Sequence, residues 1–207
     1  MAKSEPTQRQ RLREILSSTP IVRAYELRRA GIDGKTILRA VRDGDLIKIS
    51  RGLYQRPNSE VDPEQALAEA AKRVPKGVIA MVSALAFHGL TDQMPRKIWV
   101  AISPKDWGKP APSYPPIRIV ELSDKYMNQG VEHHQISGID VPIFSVPKTL
   151  ADVFRNSRLI DRSVAVEALR SALDQRKATP GAIAEAAKEG GAWRIMRPYL
   201  EALTSNG

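Results

Sequence analysis

The twelve residues from Asp33 to Gly44 constrain this chain more than any other stretch. Asp33 is an N-cap candidate for a helix over 34–43, because a carboxylate there accepts from the unpaired N–H groups of a first turn, and Gly44 supplies the stop. Ile37, Leu38 and Val41 are expected on one face of that helix. Lys35, Arg39 and Arg42 follow at i, i+4 and i+7 on another, with Thr36 beside them. A helix apolar below and cationic above packs on its own domain and offers the other side to solvent or to a polyanion. Ammonium, guanidinium and hydroxyl donors are the groups that contact phosphates and purine edges in a major groove.

The flanking pattern is that of a small folded reader. Leu12, Ile15 and Leu16 make one stripe on a helix over 8–16, broken by Ser17, Ser18, Thr19 and Pro20. A second short helix is expected over 23–30, with Ala24 and Leu27 inward, Ala30 a turn further on and Gly31 as its stop. After Gly44, residues 46–50 and 53–56 read as strands, with Ile47 and Ile49 alternating against Lys48 and with Ser50, Arg51 and Gly52 forming the turn. Three helices and a hairpin, the third helix basic outside and apolar inside, give the winged helix-turn-helix arrangement. The candidate DNA-binding residues are Arg23, Lys35, Thr36, Arg39, Arg42, Lys48 and Arg51, the last at the tip of the wing. A small helical bundle with no nucleic-acid partner carries the same stripes, and pattern alone does not separate the two.

Charge sharpens the contrast. Residues 1–57 hold 13 basic and 6 acidic side chains, so they carry +7 of the formal +9, whereas residues 58–207 hold 19 against 17. An asymmetry of this kind fits one domain that meets a polyanion, and equally a solvated basic face. The absence of cysteine excludes disulfides, thiolate metal sites, iron–sulfur ligation and cysteine nucleophiles. The longest apolar stretch, 77–90, is interrupted by Ser83 and His88 and falls short of the ~20 residues that span a bilayer. Residues 1–10 hold no apolar run of a signal peptide. A soluble cytoplasmic protein with no membrane partner is expected.

The fold class expected is α+β: a winged helix-turn-helix over 1–57, then a mixed α/β domain over 58–207 with a small sheet and a helical tail. Pro57, Asn58 and Ser59 form the linker, and Asp62 followed by Pro63 opens a helix through Val74. A short helix capped by Ser83 follows, then strands over 97–103 and 117–122 separated by a proline-rich loop. Ser137 and Gly138 turn a hairpin between 131–136 and 139–144. Helices are expected over 147–155, 161–175, 180–188 and 193–203.

Catalytic chemistry finds little support in this half. His133 and His134 are adjacent, so on a strand they point to opposite faces and do not jointly hold a metal, and Glu132 is no better placed. His88, before Gly89, is expected to cap carbonyls or to pack. The phosphate-binding glycine loops and the Gly-x-Ser-x-Gly elbow are missing, and Ser83 and Ser145 sit where helices begin, which capping explains. Lys148 and Thr149 after Pro147 suit a small anion, but a plain helix start with Lys148 and Asp152 paired on the surface is the preferred reading. Trp99 and Trp107 suit a core or an interface. No catalytic residue, metal or cofactor is therefore expected.

Several segments together resemble one family. Val22, Arg23 and Ala24, then the run from Glu26 to Ile32, residues 38–41 and 44–47, and Ser50-Arg51-Gly52-Leu53-Tyr54 look like the winged N-terminal domain of the AbiEi antitoxin family of bacterial abortive-infection operons. The run from Ser83 to Thr91, the strand over 97–102, Val141 to Ser145 and Lys148 to Asp152 are similar to that family's C-terminal domain. The resemblance implies a repressor that binds its own promoter, at inverted repeats, and an antitoxin that opposes a nucleotidyltransferase-like toxin. The Gly-Ser and paired aspartates of such a toxin are missing, so the chain looks like the non-enzymatic half. Two rival readings stay in view. One is an autonomous regulator whose second domain senses a ligand or dimerises. The other is a DNA-tethered nuclease using Glu121, Asp124 or Asp140.

Overall fold

The computed structural model describes residues 6–19, 21–50, 52–57, 63–93, 95–106 and 115–205. They are mixed α+β and divide into two compact units, one up to Gln65 and the other from Ala66 onward. Arg51 lies outside the described residues, as do Asn58, Ser59, Asp62 and Trp107.

The first unit runs α1 (Gln8–Ser18), β1 (Ile21–Arg23), α2 (Ala24–Arg29), α3 (Gly34–Arg42), β2 (Ile47–Ser50) and β3 (Leu53–Gln55). α1 opens on a capping box, in which Thr7 Oγ1 accepts from the Gln10 N–H and Gln10 Oε1 accepts from the Thr7 N–H. Gly31 ends the α2 turn at φ +78° and Gly44 follows α3 at φ +79°, conformations that cost an L side chain but not glycine. Leu12, Leu16, Val22, Leu27, Ile32, Ile37, Ala40, Leu46 and Tyr54 form one apolar cluster beneath these elements.

The sheet has three antiparallel strands in the order β1-β3-β2, one more than the expected hairpin. β1 spans only three residues, too few to show an alternation, and it pairs Val22 with Tyr54. The expected alternation of Ile47 and Ile49 against Lys48 does not bury Ile47. Leu46 is the buried residue, anchored by its N–H to the Ala40 carbonyl at 3.1 Å, and Ile47 faces solvent. The side chain of Ile49 lies outside the described set. A register shift between Lys48 and Ser50 breaks the simple alternation there.

The second unit is built on five strands in the order β6-β5-β4-β8-β7. They are β4 (Val78–Ile79), β5 (Ile98–Ile102), β6 (Ile117–Glu121), β7 (Val131–Ile136) and β8 (Ile139–Phe144). The β4–β5 and β7–β8 pairs are antiparallel, and β4–β8 and β5–β6 are parallel. Side chains alternate across the sheet as a two-sided burial requires. Trp99 and Ala101 of β5 join the core under α5 (Met81–Phe87), α7 (Val146–Arg155), α8 (Arg162–Asp174), α9 (Pro180–Glu189) and α10 (Trp193–Thr204). Val100 and Ile102 face the opposite way, onto Leu67, Ala68, Ala70 and Ala71 of α4 (Pro63–Arg73). One short helix, α6 (Asp124–Met127), follows β6.

Candidate nucleic-acid interface

α3 is fixed at both ends before it presents anything. Asp33 accepts from the Thr36 N–H at 2.6 Å, and this bond holds the Asp33 carboxyl below the usual carboxylate range. Gln8 Oε1 accepts from the Asp33 N–H at 3.1 Å and from Thr36 Oγ1 at 2.8 Å, so α1 holds the first turn of α3. Beyond the last turn, Arg9 donates from Nε to Asp45 at 2.8 Å and pairs with Asp43 at 3.2 Å. These acids raise the Arg9 guanidinium pKa, Asp45 foremost. Thr7, Gln8, Arg9, Thr36 and Arg39 line a groove of about 240 Å³ between the two helices.

Ile37 and Ala40 are the buried side of α3, with Val41 partly covered. At roughly 100° per residue, Lys35, Leu38, Arg39 and Arg42 share the opposite arc. All four are exposed, Leu38 by 68%. The expected placement of Leu38 on the core face is thus overturned, because Ala40 and Leu46 fill the space under the helix instead. The wheel itself carried the signal: Leu38 falls about 100° from Ile37 and within about 40° of Arg42. Among the described residues, neither Lys35 nor Arg39 has an ion-pair partner, while Arg42 leans on Asp43 at 3.3 Å.

The other candidates separate. Thr36 is half-buried and spends its hydroxyl on Gln8. Arg23 is half-buried at the N-cap of α2, its N–H donating to Glu26 Oε2 at 2.9 Å. Lys48 is exposed on β2, opposite Tyr54 in the pairing. Arg51 lies outside the described residues.

Residues 10–57 match the AbiEi antitoxin family of transcriptional regulators. The AbiEi match thus takes in α3 and its cationic arc, and it ends with the first unit's last strand and the two residues after it. Across both units the fold is similar to that of the crystal structure of the RV2827C protein from Mycobacterium tuberculosis, with a TM-score of 0.58 and 15% sequence identity over 99% of this chain and 83% of that one. No curated protein matches the chain.

Beyond the AbiEi match, the second unit corrects several expectations. Ser83 lies within α5, not at its cap, and its buried hydroxyl accepts from the Trp99 N–H at 2.9 Å, pinning α5 to β5. Ser145 occupies the N-cap position of α7, but its hydroxyl makes no capping bond. Lys148 and Asp152 pair at 2.8 Å, yet in the interior rather than on the surface, with side-chain exposures of 3% and 0%. Burial pushes the Lys148 pKa down and the Asp152 pKa up. Arg155 adds a second donor to Asp152 Oδ1 at 3.1 Å, lies 3.9 Å over the Tyr126 ring and donates to the Gly190 carbonyl.

The histidines and carboxylates are dispersed. His88 Nε2 donates to the Phe144 carbonyl at 2.7 Å, a packing role, and burial lowers its pKa. His133 pairs with Asp140 at 2.8 Å, while His134 turns toward Phe87. Asp124 accepts from Ser103 at 2.5 Å and from Lys105 at 2.6 Å, which holds its carboxyl below the usual range, Lys105 being the larger influence. β6, which ends at Glu121, and β8, which carries Asp140, are separated in the sheet by β5 and β4. No group of three or more metal-ligating side chains is found among the described residues. No helix among them is long and apolar enough to cross a membrane.

Proposed function

We propose that the first unit is a winged helix-turn-helix that reads duplex DNA with α3 in the major groove. The observation that carries this reading is the exposed arc of Lys35, Leu38, Arg39 and Arg42 set opposite the buried Ile37 and Ala40. The element order α1-β1-α2-α3-β2-β3 and the β1-β3-β2 sheet suit that role, with β2 and β3 as the wing. Lys48 contacts backbone beside the groove.

The AbiEi match over residues 10–57 supports the wider reading. The chain is a cytoplasmic, non-enzymatic repressor that occupies inverted repeats in its own promoter and, as an antitoxin, opposes a nucleotidyltransferase-like toxin. The test has two arms. Purified protein shifts a duplex from upstream of its own gene in preference to scrambled DNA, and coexpression with the adjacent gene rescues growth. Failure of the first arm removes the DNA-reading role, and failure of the second removes the antitoxin role.

An autonomous regulator that senses a ligand is the second reading, favoured by a cleft of about 370 Å³ in the second unit. Arg96, Lys97, Trp99, Arg118 and Asp161 help to line it, with the Arg118 guanidinium 3.9 Å over the Trp99 ring. Operator binding without growth rescue, together with an anion that changes operator affinity, selects this alternative.

A further inference from the structure

Leu38 stands where a DNA reader has most use for a side chain and least use for a leucine. A single exposed leucine elsewhere needs no explanation. Here the neighbours on the arc are Lys35 at i−3, Arg39 at i+1 and Arg42 at i+4, and the core beneath is already filled by Ile37 and Ala40. Exposing an alkyl group among cations gains nothing in water, and it gives a gain when the arc is pressed onto an apolar surface. In a major groove the one apolar feature of the base edges is the C5-methyl of thymine.

Resting on the reading of α3 given above, we infer that Leu38 is a specificity-determining residue that seats on a thymine methyl. From Lys35 to Arg42 the arc covers about 10 Å of helix, or roughly three base-pair steps. The thymine therefore lies within about one step of the base contacted by Arg39, whose fork matches O6 and N7 of guanine. The recognised half-site contains a thymine adjacent to a guanine. The methyl contact favours thymine over a pyrimidine without that methyl at this position.

The experiment replaces each thymine of the footprinted operator in turn by deoxyuridine, which removes the methyl and leaves base pairing intact. The wild-type chain is expected to lose about threefold to fivefold in affinity at one position in each half-site. Leu38→Ala is expected to bind more weakly than wild type and to be indifferent to that replacement, whereas Leu38→Met retains the sensitivity. Because Leu38 is exposed, thermal unfolding of both variants stays at the wild-type temperature. A chain that binds no DNA sinks the reading of α3 itself. Operator binding that ignores every deoxyuridine, or a deoxyuridine effect that persists in Leu38→Ala, overturns this inference alone.

Discussion

Gln8 and Thr36 are joined by a 2.8 Å hydrogen bond between two side chains 28 positions apart, so α3 takes its placement from the start of α1. Thr36 is then a positioning residue, and Gln8 is its partner. Thr36→Val and Gln8→Ala are each expected to weaken operator binding, and the double variant to be no worse than the poorer single one. A double-mutant cycle that returns a coupling of at least ~0.5 kcal/mol supports this, and strict additivity refutes it.

Lys48 and Arg39 are expected to fail differently. Lys48→Ala loses a backbone contact, so it weakens all sequences alike and makes the slope of log K against log salt shallower by about one. Arg39→Ala flattens the preference for operator over scrambled duplex by about tenfold or more. Titrations at four salt concentrations on both duplexes separate the two.

The buried pair in α7 is sensitive to the loss of either partner. Lys148→Met leaves Asp152 in the interior with Arg155 as its remaining cationic partner and one carboxylate oxygen already unpartnered among the described residues, and is expected to cost about 3 kcal/mol in urea unfolding. Lys148→Met combined with Asp152→Leu recovers much of that loss, because two desolvated charges disappear together. A double variant as unstable as the single one contradicts the account.

His88 makes the stability of the second unit depend on pH. Its native pKa lies below 6.5 because burial opposes the charged ring, so below pH 6.5 the unfolded chain binds a proton that the native ring refuses. Its stabilising contribution is present in full above pH 6.5 and is lost as pH falls through the native value. His88→Gln keeps a donor for the Phe144 carbonyl and has no such proton to gain. The difference between wild-type and variant unfolding free energies is therefore expected to shrink from pH 7.5 to pH 5, followed by urea titration at each pH.

Legibility tracked the length of the pattern. β7 and β8 stand where the turn between them places them, because Ser137 and Gly138, at φ +51° and +74°, suit a two-residue hairpin turn. The helices of the tail follow their apolar stripes within two residues at each end. β1, β4 and α6, at three, two and four residues, are too short to show any period and are held by their neighbours. Within the candidate site, the cations of α3 were visible as an i, i+4, i+7 set. Leu38 has the hydrophobicity of a core residue but the wheel angle of the exposed arc, and the angle decides its position. The four-residue spacing of Lys148 and Asp152 was readable, but their burial was not, since it depends on which helices close over α7.

Among the described residues, the cluster from Leu12 to Tyr54 draws on none after Tyr54. An interior that is complete within its own stretch of chain makes the N-terminal segment a portable cassette. With α3 reading DNA as proposed, exchanging that segment would send such a protein to a different duplex sequence while keeping its second unit.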